Sequence, residues 1–174
     1  MYLSCYRAAD YLTGRDDWDG KTLVVMGTSQ GGLQAIMTGG FHPKVTALLA
    51  NVPAGCDLTG PAVGRQSGWP MWWWQTQGKD EAKVREAARY YDVVNFAKKV
   101  KVPALISVGL LDTTCPPPGV VAAYNQARGP KELVVLEWSD HQGRNNSQAP
   151  YYARSAEWLG RLVKGERPTV KAAP

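Results

Sequence analysis

Two rhythms alternate along the chain. Residues 2–13 place Leu3, Tyr6, Ala9 and Leu12 at three-residue spacing, which predicts a helix. The turn cluster GRDDWDGKT ends it. TLVVMG is a short apolar, β-branched run and predicts a buried strand. QGGLQAIMTGG predicts a helix that stops at Gly39 and Gly40, and KVTALLANVP predicts a second strand closed by Pro53. Strand, helix and strand joined by short links imply a parallel βαβ unit with a right-handed crossover.

The rhythm then breaks. Residues 54–92 read as an insertion, or cap-like segment, lying over the sheet. Up to residue 80 it is rich in Gly, Pro and Trp and has no clean period. Helical pattern returns over residues 80–99. VKVPALISVGLLD predicts a third buried strand from Val102 to Val108, and PPPGVVAAYNQAR a helix whose prolines suit the first turn. KELVVLEWSDH predicts a fourth strand. APYYARSAEWLGRLVKG predicts a last helix with Tyr152, Ala156, Leu159 and Leu162 on its apolar face. The fold expected is α/β: a parallel sheet of about four strands filling residues 1–165, with a disordered tail over 166–174.

Composition narrows the class. At 174 residues the chain is one domain, long enough to bury a core. The net charge of +5 comes from scattered basic residues, with short clusters such as Lys98, Lys99 and Lys101, so a nucleic-acid partner is not expected. No apolar run reaches the roughly 18–20 residues that span a bilayer. MYLSCYRAADYL lacks the basic start and apolar stretch of a signal peptide, and the compartment stays open. Cys5, Cys56 and Cys115 are odd in number and widely spaced, which fits free thiols better than a zinc site or a disulfide framework.

The candidate chemistry starts at Gly27-Thr28-Ser29-Gln30-Gly31, a G-x-S-x-G sequence between a predicted strand and a predicted helix. That context requires a sharp turn in which side chains at Gly27 or Gly31 would clash. The turn projects the Ser29 hydroxyl above the sheet. The helix start directs backbone N–H groups at the same space, and the Gln30 amide is the expected oxyanion donor. Two histidines compete to be its base. His42 follows the wrong end of the helix and is expected on the surface. His141 follows the fourth strand, at the sheet end where α/β folds place their chemistry. Asp112 ends the third strand and is the orienting acid, with Asp57 as second candidate. Asp140 reads as a solvated loop residue. The order Ser29, Asp112, His141 is that of α/β-hydrolases.

GTSQGG, YYDVVNFAKKVKVPALISVGLLDTTCPPPGVVAAYN and GPKELVVLEWSDHQG resemble the acetyl xylan esterase / cephalosporin C deacetylase family, carbohydrate esterase family seven. The resemblance covers nearly all of residues 1–165. It implies Ser29 as nucleophile, Asp112 as acid, His141 as base and the Gln30 N–H as oxyanion donor. It also implies removal of acetyl groups from short xylo-oligosaccharides and other small esters, with no metal or cofactor. Gln142 stands where the family often has Glu. The family's fold begins well over a hundred residues before its nucleophile. Its R-G-Q motif and second oxyanion donor are therefore expected outside this sequence.

Three expectations follow. The strand before Ser29 becomes a sheet edge with an apolar face, prone to pairing with another copy. A homo-oligomer is expected, since members of the family form hexameric rings. The Trp run in GWPMWWW (Trp72, Trp73, Trp74) is either a substrate wall, for an acyl group or a stacked sugar, or packing for the insertion. The primary reading is a serine carboxylic-ester hydrolase. The alternative is a weak or inactive remnant that needs oligomerisation or a complementary half. Peptidase and lipase chemistry is disfavoured by the resemblance, whereas a thioesterase or broad small-ester hydrolase stays open.

Overall fold

The computed structural model describes residues 2–171. Its element order is α1 (Tyr2–Thr13), β1 (Val24–Thr28), α2 (Gln30–Phe41), β2 (Ala47–Asn51), α3 (Glu81–Arg89), α4 (Val93–Ala97), β3 (Ala104–Gly109), α5 (Pro117–Gln126), β4 (Lys131–Leu136) and α6 (Ala149–Leu162). The four strands form one sheet in the order β1-β2-β3-β4, and every pairing is parallel. The helical pattern over residues 80–99 resolves into two helices. Each has its own acidic cap, Asp80 receiving the Lys83 N–H and Asp92 the Val94 N–H.

The sheet separates two cores. On one face Leu48, Ala50, Ile106 and Val108 meet Leu33 and Ile36 of α2, Val93 and Ala97 of α4, and Val120 and Ala123 of α5. On the other, Leu49, Leu105 and Leu136 meet Tyr151 and Trp158 of α6. Strands buried on both faces read as unbroken apolar runs, and every residue of β2 and β3 is buried.

The buried face of α6 keeps Leu162 of the expected stripe and otherwise lies one residue earlier. Tyr151, Ser155, Trp158 and Leu162 point inward, while Tyr152 is 53% exposed. Trp158 decides this, because its side chain is the largest that the helix can hide. Arg154 goes in with it, its guanidinium on both oxygens of Glu132 at 2.7 and 2.8 Å. Part of the tail lies against this pair: the Thr169 carbonyl accepts from Arg154, and the Lys171 N–H donates to Glu132 at 2.9 Å. Residues 172–174, in the tail expected to be disordered, lie outside the described residues.

His42 is a correction. Only 4% of it is exposed: Tyr6 packs edge-on against its ring at 4.9 Å, and its Nε2 lies 3.2 Å from Asp10 Oδ1. Helix α1 covers it, which the local sequence around His42 does not reveal. No described helix is long and apolar enough to cross a membrane.

Candidate active site

Ser29 sits between the end of β1 and the first residue of α2 with φ 56° and ψ −117°. A positive φ is costly for a residue with a Cβ. The conformation is held from β2 and the loop after it. The Ser29 N–H donates to the Asn51 carbonyl at 2.9 Å, and the Ser29 carbonyl accepts from Ala54 at 3.0 Å and Leu33 at 3.1 Å. Gly27 is required by contact, since a Cβ there would lie 2.4 Å from the Gly31 carbonyl carbon. Gly31 departs from expectation: a Cβ on it meets open space. The second constrained glycine is Gly32, where a Cβ would press on Pro53 Cα at 3.0 Å and the Asn51 carbonyl oxygen at 3.2 Å.

The loop after β3 brings Asp112, whose side chain is fully buried. Its Oδ1 accepts the Thr114 N–H at 2.8 Å and the Cys115 N–H at 2.7 Å. Its Oδ2 lies 2.8 Å from His141 Nδ1, and His141 Nε2 lies 2.8 Å from Ser29 Oγ. A carboxylate only accepts, so Nδ1 carries the proton and Nε2 is left to accept from the serine hydroxyl. The three residues therefore form one chain along which the Ser29 proton can move to His141. The Gln30 N–H stands at the start of α2, beside the hydroxyl in sequence.

Three further polar residues brace this chain. Ser107 Oγ donates to Asn51 Oδ1 at 2.5 Å and accepts the Val52 N–H at 2.9 Å. Asn51 Nδ2 donates to Gln148 Oε1 at 2.7 Å, and Gln148 Nε2 donates to the His141 carbonyl at 3.1 Å. Asn51, Ser107 and Gln148 are all buried. The sequence reading missed them, because each is an unremarkable polar residue on a different element. Asn51 and Ser107 fall inside predicted buried strands, where a polar side chain needs a partner, and that is the one signal available.

The other candidates lie apart. Asp57 is engaged by Arg65, Nε to Oδ2 at 2.5 Å, and serves the insertion. Asp140 accepts the Gln142 and Arg144 amides and pairs with the Arg144 guanidinium at 2.9 Å, turning its carboxylate into its own loop. Backbone hydrogen bonds from Arg144 hold its carboxyl below the usual range. Trp72 meets Tyr91 edge-on at 5.4 Å and lines a groove to which no triad residue contributes. Trp73 lies under the Arg85 guanidinium at 4.4 Å, and Trp74 is 58% exposed.

Asp112, Cys115 and His141 bring three potential metal-ligand atoms within 4.8 Å of one another. The donor set does not fit a metal. Burial, with the Asp112 charge added, pushes the Cys115 thiol up to about 12, and a metal needs the thiolate. Asp112 and His141 are already committed to each other and to Ser29.

The profile of the acetyl xylan esterase (AXE1) family matches residues 1–161. The chain belongs to that family. It is 40% identical over 164 residues to the acetyl esterase Axe7A of Xylanibacter ruminicola, a match covering 94% of this chain and 36% of that protein. The acetyl xylan esterase from Paenibacillus sp. R4 superposes with a TM-score of 0.76 at 28% identity, over 95% of this chain and 52% of that one. Acetyl xylan esterase 1 from Thermoanaerobacterium sp. JW/SL YS485 gives 0.68 at 25% identity, over 87% and 51%. The fold is that of the α/β-hydrolases. The chain spans about a third of the curated relative and about half of each solved esterase.

Proposed function

We propose that the protein is a serine carboxylic-ester hydrolase that removes acetyl groups from acetylated sugars, xylo-oligosaccharides among them, and from other small acetyl esters. The observation that carries this reading is His141, 2.8 Å from both the Ser29 hydroxyl and the Asp112 carboxylate. Membership of the acetyl xylan esterase family supports the choice of acyl group and alcohol.

In the proposed cycle Ser29 Oγ attacks the acetyl carbonyl carbon while His141 Nε2 takes the hydroxyl proton. The carbonyl oxygen becomes an oxyanion facing the Gln30 N–H. The tetrahedral intermediate collapses, the C–O bond to the sugar breaks, and His141 returns its proton to the departing alcohol oxygen. Acetyl-Ser29 remains. Water, deprotonated by His141, then attacks the same carbon, and acetate leaves as Ser29 recovers its proton. Asp112 holds the ring and balances the imidazolium in both halves.

Hydrolysis of p-nitrophenyl acetate by the protein and its Ser29→Ala variant, with particle mass read on the same samples, tests this. A burst and turnover that fall by about 10³-fold or more in the variant are expected. Turnover that survives Ser29→Ala unchanged overturns the reading.

A second reading rests on one observation. The edge of β1 is open, with Met26 57% exposed beside a recess lined by Cys5, Leu12 and Val24. This supports a chain that works only in an oligomer or beside a complementary half. Its mark in the same experiment is activity confined to particles heavier than the single chain.

A further inference from the structure

Between the Trp-rich loop and α3 lies a groove of about 690 Å³, within the roughly 300–1,000 Å³ usual for small-molecule sites. Three aromatic side chains line it: Trp69, Trp72 and Tyr91. Trp69 and Tyr91 are 38% and 47% exposed, and Trp72 is steadied by its edge-on contact with Tyr91. Gln75, Asp80 and Lys83 also line the groove, the Asp80 carboxylate and Lys83 ammonium 3.8 Å apart and both more than half exposed.

The groove is anchored to the loop that carries Asp112 and to the loop after β2 that braces Ser29. The Trp69 N–H donates to the Thr114 carbonyl at 2.7 Å, two residues beyond Asp112. The Trp69 carbonyl accepts from Gly55 at 3.0 Å, next to the Ala54 N–H that holds the Ser29 carbonyl. Gly68 crosses the Asp112 loop so closely that a Cβ on it would sit 2.8 Å from the Thr114 carbonyl oxygen.

We propose that this groove is a saccharide-binding subsite that seats pyranose rings of the alcohol portion of the ester, apart from the acetyl group being cleaved. The proposal rests on the esterase reading for the identity of that alcohol. A pyranose ring has an apolar C–H face and a rim of hydroxyls. The negative face of an indole suits the first, and planar amides and carboxylates suit the second. An acyl chain or other apolar ligand would instead strip water from Asp80 and Lys83 without replacing its hydrogen bonds.

Binding of unacetylated xylotetraose to the Ser29→Ala protein, followed by tryptophan fluorescence and calorimetry, tests this without any turnover. Saturable binding is expected. Trp72→Ala in the same background weakens it by about tenfold or more. Gln75→Ala, which leaves the aromatic frame intact, weakens it by about threefold. Trp138→Ala, on an exposed residue outside the groove, leaves it unchanged. No saturable binding by protein with a native circular dichroism spectrum overturns the proposal. So does an affinity that neither Trp72→Ala nor Gln75→Ala changes. Self-association lost with Trp72→Ala, with no xylotetraose bound, overturns it too and assigns the groove to a second copy. Esterase failure on p-nitrophenyl acetate with xylotetraose still bound removes the chemistry and leaves the groove. The converse removes only the groove.

Discussion

β1 leads directly into Ser29 and β3 into the loop that carries Asp112, yet the two strands live in different surroundings. All six residues of β3 are buried between paired neighbours, and the Asp112 carboxylate beyond it is fixed by two amides of its own loop. Among the described residues β1 pairs with β2 alone, has no fully buried residue, and leaves Met26 more than half exposed. Asp112 is held by its own segment, whereas Ser29 is held by a neighbouring one. Asn51 and Ala54, in and after β2, grip both ends of the Ser29 peptide. The placement of Ser29 therefore rests on its elbow locking onto the buried strand beside it.

The most damaging way to break that lock is Gly27→Ala. The added methyl runs into Gly31 backbone, which cannot move without reshaping the elbow. A loss of about 3 kcal/mol or more in urea unfolding is expected, with esterase activity lost alongside. Gly31→Ala is the matched control for stability. Its methyl meets nothing, so a change within about 1 kcal/mol is expected, and an equal loss in both would show that the elbow tolerates no side chain at all.

Asn51→Ala is expected to cost less and to act on the link between the strands. It leaves Ser107 and Gln148 without a shared partner in a buried site, a penalty of about 1–3 kcal/mol. Because Gln148 holds the His141 carbonyl, kcat for p-nitrophenyl acetate should fall about tenfold while KM changes little. Stability lost with kcat intact would confine the network to folding.

Met26→Lys is the mildest substitution, and its target is the open edge. Stability within about 0.5 kcal/mol of the parent is expected, and any association through this edge should weaken in sedimentation, because a charged edge discourages strand pairing. A loss above about 2 kcal/mol would mean that Met26 is covered in solution.

The same contrast explains what could be read in advance. β2, β3 and the elbow glycine Gly27 were legible because their causes are local: apolar runs, and a motif whose glycines and serine are contiguous. His141 and Asp112 were legible from their order and from their position after strands. The bracing network was not, since Asn51, Ser107 and Gln148 gain meaning only when three distant segments meet. His42 was misjudged for the same reason, its cover coming from Tyr6 and Asp10 on α1. Gly31 and Gly32 exchanged importance because the tight approach comes from Pro53, on the neighbouring strand's loop. The inward face of α6 turned on Trp158, which periodicity alone could not rank above its neighbours.

The four strands lie side by side in the order in which the ribosome makes them. Each new strand meets an edge that already exists, and none has to be threaded between two others. Ser29 emerges before the histidine hydrogen-bonded to it, which follows 112 residues later. At translation rates of about 5–20 residues per second, that is an interval of roughly 6–20 s. Throughout it the growing chain displays a serine with no base to take its proton. On the proposed mechanism the nascent chain stays chemically silent until the segment carrying His141 arrives.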